Sequence, residues 1–552
     1  MTDTYDFIIV GAGSAGCVLA ARLSEDPRNR VLLLEYGGSD RSIFIQMPSA
    51  LNIPLNSRRY NWGYESEPEP HLDNRRINTP RGKVIGGSSS INGLVYVRGN
   101  ALDFETWEEM GARGWAYRHV LPYFRRAETH LEGADDYRGA DGPLATRTGR
   151  LANPLYRAFV EAAEQAGYAA SPDLNGYRQE GFGPLDMTVN GGVRASAANA
   201  YLRPALKRPN LRVVTGVLAE AVLLDGRRAT GVRYIRGGET VTASATREVI
   251  VAAGAINSPQ LLKLSGIGPG AELKNHGIEV RHELGAVGEN LQDHLEFYFQ
   301  VASKKPITLY SSMGLFARGM IGARWLLFRS GLGATNHFET GGFIRSRAGI
   351  KYPDIQFHFV PLAMSYDGRK LATEHGYQVH AGPMRSKSRG FVRLKSANVR
   401  EAPRIQFNYM SHEEDWQEMR ACVRLTREIV GQPAFAPYRG REIQPGAEAT
   451  SDAAIDAFVR AKAESAYHPS GTCKMGRADD PAAVVDPETR VIGLQGLRVV
   501  DASIMPRITN GNLNAPTIML AEKAADMILG KPALPASNAP YYVAPNWETS
   551  QR

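Results

Sequence analysis

The apolar run Phe7-Ile-Ile-Val10 passes directly into Gly11-Ala-Gly-Ser-Ala-Gly16, and a second run, Val31-Leu-Leu-Leu34, ends on Glu35. Few local features restrict a fold as tightly as this one. A strand that turns through closely spaced glycines into a helix lets the backbone approach a pyrophosphate and sets the helix N-terminus against its charge. The acid at the end of the second strand, about 20 residues on, then takes the ribose hydroxyls. Glycines alone would say little in a chain with 56 of them. The small-residue stretch Cys17-Val-Leu-Ala-Ala-Arg-Leu23 and the second strand complete the βαβ context, so the opening residues predict an α/β, Rossmann-like unit holding a dinucleotide.

A chain of 552 residues exceeds one core and suits two domains of about 150 to 250 residues each. The formal charge of +8 comes without Lys/Arg blocks, which argues against nucleic acid. Cys17, Cys422 and Cys473 form no CxxC pair, which argues against a metal or disulfide framework and for a reducing compartment. No run approaches the ~18 apolar residues of a membrane span, and the first strand starts by about Tyr5, with no room for a secretory leader. The expectation is a protein on the cytoplasmic side, soluble or peripherally attached. Gly314–Arg329 sets Arg318, Arg324 and Arg329 among bulky apolar side chains. A helix packed on its own domain with arginines at its rim is the expected reading, and peripheral contact with an anionic membrane is the competing one.

Three further segments carry the same strand, turn and helix grammar. Arg81-Gly-Lys-Val-Ile-Gly-Gly-Ser-Ser-Ser-Ile-Asn-Gly93 runs into the β-like Leu94-Val-Tyr-Val97, and its paired glycines and hydroxyls suit a loop wrapped around a flat ring and its phosphates. Val249-Ile-Val-Ala-Ala-Gly254 reads as a buried strand leading to a helix with Ser258 as N-cap and Pro259 in its first turn. Leu497-Arg-Val-Val-Asp501 reads as another strand, followed by Asn510-Gly-Asn-Leu-Asn-Ala-Pro516 and a helix from Thr517.

Gly82–Asn92 and Gly254–Gly268 resemble, in order, the two signatures of the glucose-methanol-choline oxidoreductases, flavoenzymes that oxidise alcohols with FAD. The resemblance runs from about Tyr5 to Gly530. Tyr60–Pro70, Asn336–Arg345, Phe407–Trp416 and Tyr467–Gly476 resemble the choline-oxidising branch of that family. The likeness implies a Rossmann-like FAD-binding domain assembled from residues 1–155, 196–300 and 464–530. It is interleaved with an α+β substrate domain from 156–195 and 301–463, built on an antiparallel sheet, and 531–552 form a C-terminal tail or surface arm. Alternation in Tyr377-Gln-Val-His-Ala381 and Gly390-Phe-Val-Arg-Leu-Lys395 suits an antiparallel sheet with one wet face.

Alcohol oxidation needs a base, and imidazole suits it. Most of the twelve histidines, among them His71, His119, His130, His276, His282, His375, His380 and His412, sit among charged or turn residues with a solvated or structural role as the default. His468, in Tyr467-His-Pro-Ser-Gly, resembles the family's active-site histidine, with Asn512 as its partner on the substrate oxygen and Asn514 left open as an alternative. The resemblance further implies FAD contacts from Gly11, Gly13, Ser14, Ala15, Gly16, Glu35, Gly86, Gly87, Ser88, Asn92, Gly93, Val95, Val217, Asp501 and Ala502. It implies a cation site from Glu296, Trp62 and Tyr467, with His358 secondary, and no metal. A histidine that bonds the flavin covalently in related oxidases is replaced here by Ile91, which predicts non-covalent FAD and electron delivery to a quinone or other acceptor. Choline is the implied substrate. Family members acting on aliphatic or polyethylene-glycol alcohols share most of these motifs and remain the alternative.

Overall fold

The computed structural model describes residues 3–365, 368 and 373–552. Two seven-stranded sheets organise the chain. The first runs in the order 211–215, 31–35, 3–10, 239–251, 228–236 and 217–225, with 497–499 also on strand Glu239–Val251. Its centre is parallel: Phe7 to Val10 pair with Val31 to Leu34 on one side and with Glu248 to Val251 on the other. Phe7 to Val10 and Val31 to Glu35 are buried, with helix Ser14–Leu23 packed on both strands and strand Val217–Asp225 folded back against Val31–Glu35. Helix Ser14–Leu23 packs against the C-terminal helix Asn514–Leu529. Between them, Glu522 is fully buried and takes Arg22 (2.9 Å), Arg126 (2.9 Å) and the Tyr201 hydroxyl (2.8 Å).

Glycine decides how closely the loops meet. Gly11 has φ +102°, and a Cβ there would lie 2.5 Å from the Ala252 carbonyl; one on Gly16 would lie 1.8 Å from the Gly11 carbonyl. Gly87, at φ +54°, rests against Gly13 so closely that a Cβ would lie 2.6 Å from its Cα. The two glycine-rich loops, distant in sequence, are thereby one surface.

The second sheet is antiparallel throughout, in the order 439–444, 295–303, 376–383, 355–360, 340–344 and 181–184, with 464–465 beside 295–303. Its strands were expected to carry one wet face, yet Ile355–Val360 and Gly376–Pro383 are buried at every residue. One face packs on helices Pro154–Gln165 and Glu413–Val430. The polar face carries Gln356, buried, and His358, Gln378 and His380, which wall an internal cavity instead of meeting bulk solvent. The alternation was correct and its environment was not. Phe391–Arg393 pairs with Arg404–Gln406 in a separate ribbon.

Two other local expectations change. The helix after Val251 begins at Gly254, not beyond Ser258, so Pro259 lies inside it; the Ser258 hydroxyl accepts from the Ala253 N–H and donates to Asp501. The helix expected from Thr517 starts at Asn514. Residues 531–552 form an extended arm over the surface, held by Ser537 N–H to Arg118 O, Tyr542 N–H to Tyr177 O and Gly349 N–H to Trp547 O. The arginine-rich segment is indeed a helix, Leu315–Phe328, but only Trp325 of it is buried, so it is not packed on its own domain as expected.

Candidate active site

The two sheets enclose a cavity of about 930 Å³. On the nucleotide side it is lined by Gly11, Gly13, Ser14, Ala15, Glu35, Gly87, Ser88, Asn92, Gly93, Val95, Val217, Asp501 and Ala502. Gly16 and Gly86, expected among the cofactor contacts, do not line it. Gly16 is spent on helix-to-strand packing, and Gly86 donates its N–H to the Ala12 carbonyl. Both shape the loops from behind.

The cavity fits a dinucleotide. Gly13 caps helix Ser14–Leu23 without a side-chain oxygen, and helix Asn514–Leu529 likewise starts without one, so the first-turn N–H groups of two helices are left for an anion. A Cβ on Gly13 would find nothing nearer than 4.0 Å in the protein, an open cradle rather than a packing contact. Gly13→Val is therefore expected to fold with an unchanged Tm while its purified flavin content falls at least about tenfold, read as the ratio of flavin to protein absorbance. Glu35 is buried and accepts N–H bonds from Ala12 (2.9 Å) and Gly37 (2.7 Å). Burial raises its carboxyl to about 7 against those bonds, which favour the anion. Asp501 accepts from Gly254 N–H (2.8 Å), Ser258 Oγ (2.6 Å) and Ser503 N–H (2.8 Å), which ties the ends of three elements together at the cavity floor.

Sequence patterns gave no sign of Arg194. Among the described residues its buried guanidinium has no carboxylate partner; it donates to the carbonyls of Ile45, Ser89 and Asn92 and to the Asn92 side chain, and so clamps the second glycine loop. Ile91, beside that clamp, lines the cavity and is buried with Ile45 and Val84.

On the opposite wall four expected residues converge. His468 follows Tyr467, whose φ of +68° is unusual for a side-chain-bearing residue and is held by Ser465 Oγ on its N–H (2.8 Å) and by Arg81 on its carbonyl. The His468 N–H donates to Asp293 (2.7 Å), which also takes the hydroxyls of Tyr409 and Ser465. Asn512 Nδ2 lies 3.2 Å from His468 Nε2, and Asn512 Oδ1 lies 3.3 Å from both Gln356 Nε2 and His358 Nε2. Asn514 belongs elsewhere: its Oδ1 accepts from Ser14 Oγ (2.8 Å), on the nucleotide side.

The proton positions follow from one end of this chain. His294 Nε2 faces the Met384 carbonyl at 3.1 Å, so it carries the hydrogen, and burial holds His294 neutral by lowering it to about 4. His294 Nδ1 is then a bare acceptor, 3.0 Å from His468 Nδ1, which must donate. His468 Nε2 is consequently the unprotonated nitrogen, turned towards the Asn512 amide. Burial, then the neighbouring His294 and Arg81, depress His468 well below the ordinary imidazole range. His358 is lowered to about 4, chiefly by burial.

Glu296 is buried, and its Oε1 lies 3.2 Å from His380 Nδ1. His380, expected to be structural, is a cavity residue: it stacks on Tyr298 at 3.8 Å and stands directly across from His358 in register. Phe338 presents its edge to both imidazoles, at 5.9 Å and 5.4 Å. The available signal was that Gln356, His358, Gln378 and His380 share one parity on neighbouring strands. Trp62 and Tyr467 line the same cavity, and the Trp62 ring stacks between Tyr36 (4.9 Å) and Tyr64 (5.7 Å).

A parallel nucleotide-binding sheet facing an antiparallel sheet across a cavity that carries an unprotonated imidazole nitrogen defines a dinucleotide-dependent oxidoreductase. The GMC oxidoreductase family models match residues 5–296 and 386–521, and the chain belongs to that family of FAD-dependent enzymes. It is 59% identical over 547 residues to the oxygen-dependent choline dehydrogenase of Brucella ovis, covering 99% of this chain and 100% of the relative. Pyridoxine 4-oxidase from Mesorbium loti superposes with a TM-score of 0.87 at 31% identity, over 96% of this chain and 100% of that one. An FAD-dependent oxidoreductase from Chaetomium thermophilum gives 0.85 at 27%, over 95% and 99%.

Proposed function

We propose that this chain oxidises choline to betaine aldehyde, and betaine aldehyde hydrate on to glycine betaine, using non-covalently held FAD. The observation that carries the chemistry is the hydrogen-bond chain that leaves His468 Nε2 bare beside the Asn512 amide. Bound FAD supplies the hydride acceptor. His468 Nε2 takes the hydroxyl proton, and the Asn512 N–H group holds the oxygen as its charge develops. Gln356, donating to Asn512 Oδ1, keeps the amide turned the right way. Glu296 supplies the local anion that a net-basic protein needs for a cationic substrate, with the aromatic side chains of Tyr298, Phe338, Tyr467 and Trp62 lining the same cavity. Gly13, Ser14, Ala15, Glu35, Gly87, Asn92, Gly93, Val95, Val217, Asp501 and Ala502 hold the cofactor in this reading.

The 59% identity to a choline dehydrogenase supports the substrate, and Ile91, which has no nucleophilic atom, supports the non-covalent cofactor. Electrons then leave to a quinone or another acceptor. Anaerobic titration with choline tests the proposal as a whole. The flavin absorbance is expected to bleach fully at half an equivalent of choline, because each choline yields four electrons when its aldehyde hydrate is oxidised in turn, and acid precipitation to leave the yellow colour in solution; unbleached flavin would reject the substrate, a full equivalent would limit the reaction to the aldehyde, and a yellow pellet would reject the mode of attachment.

His294 acts here as a positioning residue that fixes the His468 tautomer. With asparagine at 294 an amide oxygen can replace Nδ1 as acceptor, whereas leucine offers none. His294→Leu is expected to lower kcat by about tenfold or more with KM little changed, and His294→Asn to recover most of it. Because His468 is depressed below 6.5 in the folded site, the wild-type kcat/KM should stay level down to that pH and decline only below it, where the base is protonated.

A further inference from the structure

Among the described residues, the helix Leu315–Phe328 has no partner for most of its surface. At about 100° per residue, Leu315, Leu326, Gly319, Ala323, Phe316, Leu327 and Met320 fall on one continuous arc of about 140°. Along that arc the large side chains lie open: Leu315 is 88% exposed, Phe316 84% and Leu327 74%. The buried anchor, Trp325, projects from the far side, donating its indole N–H to the Gly192 carbonyl at 2.7 Å. Arg324 borders one edge of the arc, and Arg318 and Arg329 border the other, Arg329 lying 3.9 Å over the Trp325 ring. An apolar arc turned away from the protein and edged by guanidinium groups is the pattern of a helix lying in the plane of a lipid interface.

The patch is wider than one helix. Ile43, Phe44, Ile53 and Leu332 are exposed too, and together with Leu315 they border the same cavity. The Pro48–Ala50 turn packs against Gly331–Ala334, which joins the two segments into one rim. Across 41–59 and 304–334 the sequence has eight basic residues and no acidic one, in a chain with 57 acids. That sign disfavours a second copy of the same face and suits a negatively charged leaflet. None of the described helices is long and apolar enough to cross a membrane, so the contact is on one leaflet only.

We propose that the Leu315–Phe328 helix and the Ile43–Ile53 rim form a docking face for anionic lipid, with the mouth of the cavity opening at the membrane surface. A hydrophobic electron acceptor dissolved in the bilayer then reaches the cavity without crossing water. The geometry of the face stands whether or not choline is the substrate.

Co-sedimentation of the FAD-loaded protein with vesicles tests it. Wild type is expected to pellet with phosphatidylcholine vesicles containing phosphatidylglycerol, to pellet less with phosphatidylcholine alone, and to be released by high salt. Phe316→Ser combined with Leu327→Ser should weaken binding at least about tenfold. Arg324→Gln should weaken it about fivefold. None of these positions lines the cavity, so dye-coupled activity in solution and Tm should not change. Absence of pelleting, equal binding to neutral vesicles, or equal binding by the double variant would overturn the proposal. A dimer that dissolves in the double variant while wild type ignores vesicles would overturn it as well, by making a second copy the occupant.

Discussion

Replacing His468 by alanine is expected to lower kcat/KM for choline about a thousandfold while flavin content and Tm hold. The expectation follows from three local facts. The backbone of His468 is fixed by Asp293, its Nδ1 is committed to His294, and its Nε2 is the unprotonated nitrogen that faces the Asn512 amide. Alanine keeps the backbone N–H on Asp293, so the loop should persist while the base is lost. Asn512→Ala, which removes the hydrogen bond to the oxygen and leaves the base, should cost less, about a hundredfold. Flavin that reduces at wild-type rate in His468→Ala would show that another group takes the proton. Asp293 sits two residues from Leu295 at the head of strand Leu295–Ser303, so its own replacement would disturb folding and would be a poorer test.

The second large effect concerns charge recognition. Glu296→Gln is expected to reduce kcat/KM for choline about a hundredfold and to leave 3,3-dimethylbutanol, the neutral isostere, within a few-fold of wild type. Glutamine keeps the volume and a hydrogen-bonding oxygen for His380, so what is removed is the negative charge. In the wild type, choline should accordingly exceed the isostere by a comparable factor. Equal kcat/KM for the two alcohols in the wild type would remove the cation site from the proposal and favour a neutral aliphatic alcohol. Gly382 lies behind Glu296, where a Cβ would come within 3.0 Å of the Glu296 Cα and Cβ, so the carboxylate owes its seat to a glycine on the neighbouring strand.

Most of the nucleotide half of the proposed site was legible in the sequence because its signals are local, although Gly16 and Gly86 stand behind the loops and do not line the cavity. Gly11 takes a positive φ at the strand-to-helix turn, Glu35 ends the second strand, and both lie within a single βαβ unit. Resemblance carried the other half as far as His468, Asn512 and Glu296. It did not reach His380, because a histidine in an alternating strand reads as wet until its neighbours are known. The cross-strand register with His358 and Tyr298 is what turned that position inward. Nor did it reach Arg194, whose partners, mostly backbone carbonyls, lie a hundred residues or more away and leave no pattern in side-chain types.

The helix from Leu315 shows the converse case. Its composition was plain, and a packed amphipathic helix was the natural expectation, yet hydrophobic periodicity reports an apolar face without saying what covers it. Only the position of Trp325 beneath the helix tells which arc is turned outward.

The sequence by itself determined the nucleotide unit and the flavoenzyme family, whose signals lie near one another in the chain, and resemblance put His468 forward as the base with Asn512 or Asn514 beside it. The tertiary structure decided which nitrogen of His468 is free, that Asn514 serves Ser14 while Asn512 faces the base, and that His380 meets Glu296. Those outcomes rest on hydrogen bonds and strand register between distant segments. Such contacts carry no information in the order of residues until the sheets have closed around the cavity.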